Sequence, residues 1–171
     1  QLDLEMAFVD DGEVVRSTTE PLIINLVQSF AGKQLVSDTV PRIPYQEAMD
    51  RYGTDKPDLR FGMELVDLSE SLKTCEFGVF RSVLDNGGVV KALCVKGGAS
   101  LSRSQIDQFT ELAKKEGAGG LAYITYDNGE IKSPIAKFFG ADELDAIKQK
   151  TGAEDGDAVF FGSDNRRVVN K

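Results

Sequence analysis

The first nine residues, "QLDLEMAFV", alternate between apolar and polar positions without a break. Leu2, Leu4, Met6 and Phe8 share one side, and Gln1, Asp3, Glu5 and Ala7 the other. That is the period of a half-buried strand with an acidic outer face. The period then changes. Asp10 and Asp11 supply N-cap chemistry, and Val15, Leu22, Leu26 and Phe30 form one stripe at helical spacing. Pro21 has no N–H to give and is expected to kink or split that helix, which Gly32 ends. "VPRIPYQEAMDRYG" predicts a turn into a short helix, with Pro44 in its first turn, Ala48 and Met49 inward and Gly53 just past its end. "RYGTDKPDLRFGM" has neither period, and "FGMELVDLSE" follows as a short strand.

Beyond about Lys73 the rhythm is cleaner. "VVKALCVKG" reads as a strand with Val89, Leu93 and Val95 on one face. Ser102 and Gln105 have capping-box spacing, and the helix they open is expected to bury Ile106, Phe109, Leu112 and Ala113 before Gly117 stops it. "GLAYITY" is a strand, "DNG" at 127–129 a hairpin turn, and "EIKSP" its short partner. "PIAKFF" reads as a helical turn. "ADELDAIKQKTG" is a helix with Leu144 and Ile147 inward, and "GDAVFFG" is a last strand. Mixed strands and helices with a hairpin between them predict an α+β fold: a two-layer sandwich with helices on one side of a mixed sheet.

Charge adds a division. The 171 residues carry a net −8, yet residues 1–70 hold 6 Lys/Arg against 14 Asp/Glu, and the rest hold 14 of each. The acidity sits in the first part, and the balance argues against a general nucleic-acid binder. Two units are expected, 1–73 and 74–171. There is no histidine, which excludes His-based acid–base chemistry and Ser–His or Cys–His nucleophiles within the chain. Cys75 and Cys94 match no zinc pattern or disulfide framework and read as reduced thiols. No apolar run approaches membrane-helix length, and no membrane partner is expected. The chain opens on "QLDLEMAFVD" without a Met and closes on "NRRVVNK", which reads as a piece of a larger protein.

Four patterns could carry chemistry. Asp3 and Glu5, beside Gln1 on one strand face, would place carboxylates about 7 Å apart, enough to hold a cation or serve as an ordinary wet face. "VKGGASLSRSQ" could offer backbone N–H groups to an anion between Lys96 and Arg103, or be a plain strand-to-helix turn; it lacks the Gly-Lys-Ser/Thr of a phosphate loop. Lys91, Lys96, Arg103, Lys114, Lys115, Lys132 and Lys137 could touch a phosphate backbone, at most by shape, or be a solvated surface. In "TDKPDLR", Pro57 stiffens a segment whose Asp55, Lys56, Asp58 and Arg60 could pair with one another or with something outside.

Together these segments resemble the bacterial-type aspartyl-tRNA synthetases of class II. "QLDLEMAFV" is similar to the strand closing motif 2, in its Q-x-D-x-E-x-x-F form, and "RIPYQEAMDRYGTDKPDLRFGMELVD" to the run that follows it. "VKALCVKGGASLSRSQID", "GAGGLAYI", "SPIAKFF" and "GAEDGDAVFFGSDN" resemble the GAD insertion domain, which tRNA-dependent amidotransferase subunits share. The resemblance implies that residues 1–73 are a flanking α/β piece of the catalytic domain and 74–171 the α+β GAD domain. It implies a cytoplasmic homodimer that joins aspartate to tRNA through an aspartyl-adenylate, using ATP and Mg²⁺. By position Gln1 would face the adenylate, Asp3 would orient a lysine outside this chain that reads the substrate carboxylate, and Glu5 would be a supporting residue. The motif 2 arginine would precede Gln1, and motifs 1 and 3 and the anticodon-binding domain would lie elsewhere. The chain alone is therefore expected to hold no cofactor and to be non-catalytic, with the GAD domain near the tRNA acceptor end and any tRNA contact weak or indirect. The alternatives are a binding or scaffold module of an amidotransferase subunit and a stand-alone interaction domain.

Overall fold

The computed structural model describes residues 2–171, in two compact units, one up to Ile43 and one from Pro44 to Lys171. Residues 44–73, expected with the first part, pack with the second.

In the first unit, residues 2–9 form no strand, and Leu2, Leu4, Met6 and Phe8 are all exposed. Alternation describes which way side chains point; a strand also needs a neighbour to satisfy its backbone, and no strand of the described first unit supplies one. Helix α1, Glu13–Phe30, runs through Pro21 as one element. Proline there removes only the bond to the Ser17 carbonyl, and the other bonds of an 18-residue helix hold it together. The N-cap is Gly12, with no side-chain cap, rather than either aspartate; the Glu13 N–H reaches Asp11 Oδ1, one residue further out, at 2.8 Å. No residue of α1 is buried, and Phe30 is 81 % exposed.

The second unit is built on five strands: β1 Leu65–Asp67, β2 Val89–Val95, β3 Ala122–Asp127, β4 Glu130–Lys132 and β5 Ala158–Asp164. Their order across the sheet is β1-β2-β5-β3-β4, and all four pairings are antiparallel. The α+β class is as expected, but the sheet is not mixed. Helix α4, Arg103–Lys115, joins β2 to β3, which run parallel, as a strand–helix–strand reading implies. β5 then inserts between them, Lys91 facing Gly162 and Tyr123 facing Phe160, so every ladder becomes antiparallel.

Nor is the fold two-layered. Val90 and Ala92 of β2 and Phe161 of β5 join Phe80 of α3 (Gly78–Asp85) and Ile147 of α5 (Ala141–Thr151) in one core. On the opposite side Ala158 and Phe160 of β5 pack with Ile106 of α4. The first four residues of both β2 and β5 are buried, whichever way they point. Continuous runs such as "VVKA" and "AVFF" mark strands covered on both faces. The main core is aromatic-rich, with the Phe80 ring 4.8 Å from Phe77 and 5.6 Å from Phe161, centroid to centroid. Burial at about 25 cal/mol per Å² makes such residues the unit's chief stabilising element.

Local signals fix the ends of these elements. Ser102 and Gln105 form the reciprocal capping box of α4. Asn128 and Gly129 both take positive φ, 54° and 75°, as a two-residue hairpin turn between β3 and β4 requires. Residues 136–138 form the expected turn of 3-10 helix.

Candidate functional site

Of the residues assigned to a substrate pocket, Gln1 lies outside the described residues. Asp3 and Glu5 are exposed on the segment that forms no strand. Among the described residues, no three His, Cys, Asp or Glu side chains converge on a site for a metal ion. The Mg²⁺ that the resemblance implies has no ligand set among the described residues, and no chemical step is routed through it.

The glycine turn after β2 is built around Asp157, which is 4 % exposed. Its carboxylate accepts from the Gly97 N–H, the Glu154 N–H and Lys96 Nζ, each at 2.9 Å. Burial pushes the Asp157 pKa up, but these donors outweigh it and leave the group below the ordinary aspartate value. Lys96 also donates to the Gly152 carbonyl at 2.8 Å. The N–H and ammonium that could have met an external anion meet an internal carboxylate instead, so the turn is structural.

The seven basic residues do not make one surface. Lys91 is buried, and Lys96 is held by Asp157. Lys114 pairs with Glu111 and Lys132 with Asp127. Lys137 lies over the Phe138 ring at 5.1 Å. Arg103 and Lys115 sit on α4. Paired cations of this kind contribute little to a phosphate-reading face.

The segment "RYGTDKPDLRFGM" becomes a loop closed at its base. Arg51, at the end of α2 (Tyr45–Tyr52), clasps Glu64 in a fork, with Nε to Oε2 at 2.8 Å and Nη2 to Oε1 at 2.7 Å. Arg51 holds the Glu64 carboxyl below its usual range. Within the loop Arg60 Nε donates to Asp58 at 2.8 Å, and Arg60 holds the Asp58 pKa down at about 2. Asp55 and Lys56 are exposed, as are Leu59, Phe61 and Met63. The four charges do not act as one set: Asp58 and Arg60 satisfy each other, while the residues closing the loop are Arg51 and Glu64, one inside and one just beyond the quoted run.

Sequence reasoning counted Lys91 among the surface cations and missed that it is buried. Period-2 alternation places it with Val89 and Leu93, and its side chain is fully buried among them. Nζ donates at 2.9 Å to the Asp50 carbonyl at the end of α2 and at 2.9 Å to Asn170 Oδ1, past α6 (Arg166–Val169). Burial lowers the Lys91 pKa against the pull of the Asp50 carboxylate 3.8 Å away. The Asp50 carboxyl is itself held below its ordinary value, by the Gln46 amide first and then by Arg166 and Lys91. One signal was available: a lysine inside "VVKALCV" interrupts an otherwise apolar run, and a buried ammonium needs acceptors from elsewhere.

Beside Lys91 runs an apolar groove of about 700 Å³, lined by Leu65, Leu93, Phe109, Leu112, Phe160 and Val168. Phe109 and Leu112, expected inward on α4, are open to it. Helix α4 seats only Ile106 fully, because the helix lies over Ala158 and Phe160 rather than across the whole sheet.

The fold and these residues define a domain class before any enzyme. The sequence model of the GAD domain matches residues 80–171, over half of the chain, and the chain belongs to that family. The likeness to curated proteins runs further. The chain is 45% identical over 170 residues to the aspartate–tRNA ligase of Halalkalibacterium halodurans, covering 99% of this chain and 28% of that protein. It is 44% identical over 169 residues to the aspartate–tRNA(Asp/Asn) ligase of Syntrophomonas wolfei subsp. wolfei, with the same coverage. The corresponding ligase of Heliobacterium modesticaldum is 46% identical over 169 residues. The chain thus spans little more than a quarter of the length of these relatives.

Proposed function

We propose that the chain is the GAD-bearing stretch of a bacterial-type aspartyl-tRNA synthetase. The observation that carries this is the reach of the likeness: identity of 44 to 46% extends over 99% of the chain. It therefore includes the residues before 80 that the GAD model does not match. A scaffold module from an amidotransferase subunit shares only the GAD part, so those N-terminal residues favour the synthetase.

On this reading the whole protein is a cytoplasmic class II homodimer. It attaches aspartate to tRNA through an aspartyl-adenylate, with ATP as substrate and Mg²⁺ as its ion. Residues 1–73 belong to the catalytic domain by origin. Within them, residues 44–73 dock on the inserted domain, residues 74–171, which lies near the tRNA acceptor end. Gln1 and Asp3 are the part of the aspartate pocket that this stretch contributes. Activation of an amino acid needs its charges placed together around one phosphate, and among the described residues no such set comes together.

Two measurements test the proposal. The complete gene product is expected to charge tRNA with aspartate in the presence of ATP; failure to charge would overturn it. The 171-residue chain alone is expected to give no aspartate-dependent pyrophosphate exchange, and measurable exchange would overturn its non-catalytic role.

A further inference from the structure

We propose that Lys91 is a buried clasp that couples the two ends of the second unit, so that α2 and α6 open together and not separately. The inference concerns this chain's own residues and stands apart from the proposed enzyme.

The last carbonyls of a helix have no partner within it and carry its negative dipole end. Here the Asp50 carbonyl accepts from Lys91 Nζ, and the Met49 carbonyl, which also takes the Gly53 N–H, accepts from Asn170 Nδ2 at 3.0 Å. The same Asn170 offers its Oδ1 to Lys91. One ammonium and one amide therefore close a ring through α2, the centre of β2 and the residue after α6. Arg166 adds an ion pair with the Asp50 carboxylate. The closeness of the approach is visible at Gly53, whose φ is +72°. A Cβ placed there would stand 2.1 Å from the Asn170 carbonyl oxygen, so only glycine fits.

The physics makes the ring cooperative. Lys91 is 1 % exposed, so its ammonium depends on protein acceptors. If α6 lifts, the ammonium loses one acceptor and Asn170 releases Met49; if α2 lifts, the ammonium loses the other. Either opening takes an acceptor from a buried ammonium and breaks the direct bonds of Asn170 and Arg166 to α2 as well, so the two ends lose their contacts in one event. The core on the α3 and α5 side contains none of these groups.

Hydrogen exchange on the 171-residue chain reads this directly. Lys91→Met is expected to speed amide exchange in residues 46–53 and 167–171 by about tenfold or more, while β3 and β5 keep their rates. Asp50→Asn keeps the backbone acceptor but drops the Arg166 pair, and is expected to speed exchange at 167–171. Asn170→Ala is expected to speed it at 49–53. If each end variant loosens only its own segment, if all amides speed up uniformly, or if neither end responds, the coupling is wrong. Should Lys91→Met fail to fold, Lys91→Gln, which removes the charge and keeps a donor, is read in the same way.

Discussion

The two units use charge in opposite ways. In the first, Arg42 reaches Glu13 at 2.8 Å and Glu20 at 2.6 Å, and Glu20 also accepts from the Val40 N–H at 2.8 Å. These contacts lie in the open and fasten residues 40–42 along α1, a helix with no buried residue. In the second unit Lys91 and Asp157 are the buried charged side chains, and each holds segments far apart in sequence. An exposed pair competes with water and salt and contributes little; a buried one cannot be let go without stranding its partner. The same residue types thus make a fastening in one place and a structural joint in the other.

The contrast breaks most visibly in the core. Phe161→Ala, at a site 1 % exposed against Phe80, is expected to cost about 3–5 kcal/mol in denaturant unfolding of the second unit. Leu26→Ala on α1, where the leucine is 43 % exposed, should leave that transition where it was. Equal effects would mean that α1 contributes to the same core.

The joint at Asp157 comes next. Asp157→Asn is expected to cost about 1–3 kcal/mol, because Lys96 and two N–H groups lose a charged acceptor. The pH dependence follows from the depressed folded-state pKa. The stabilisation is fully present above the unfolded aspartate value of about 3.9 and is lost as pH falls below it through the lower folded value. The variant should lose that acid-side slope, as chemical denaturation at a series of pH values would show; an unchanged slope would remove Asp157 as its source.

The smallest effect belongs to the exposed fastening. Arg42 and Arg16 hold the Glu13 pKa at about 2, with Arg42 the larger influence. Arg42→Ala is expected to return Glu13 towards the ordinary glutamate value in an NMR titration while leaving the unfolding midpoint unmoved. A large loss of stability would show that the surface cluster supports more than residues 40–42.

What was legible in the sequence was local. The capping box at Ser102, the Asn-Gly turn and the inward Ile147 are written within a few residues of themselves, and the structure repeats them. The N-terminal alternation was equally clear but insufficient, since its side chains declare faces while its backbone needs a neighbour. The partners of Lys91 come from residues 41 positions before it and 79 after, and no local period encodes such distances. Phe109 and Leu112 follow the helical period, yet the groove leaves them uncovered. The substrate-pocket assignment for Gln1 and Asp3 came from family wording, because an acidic strand face alone is compatible with many roles.

The insertion of β5 between β2 and β3 has a kinetic side. Val89 pairs with Asp164, and Val95 with Ala158, so the centre of the sheet joins residues more than sixty positions apart. In chain order the β1–β2 pair and the β3–β4 hairpin come first, and the strand that unites them follows only after α5. Until β5 is in place, the inner edges of both strand pairs stand open, and loop closure must be completed before the long-range pairs return anything. The nascent chain therefore waits for its keystone, and the exposed strand edges during that wait are where misassembly would begin.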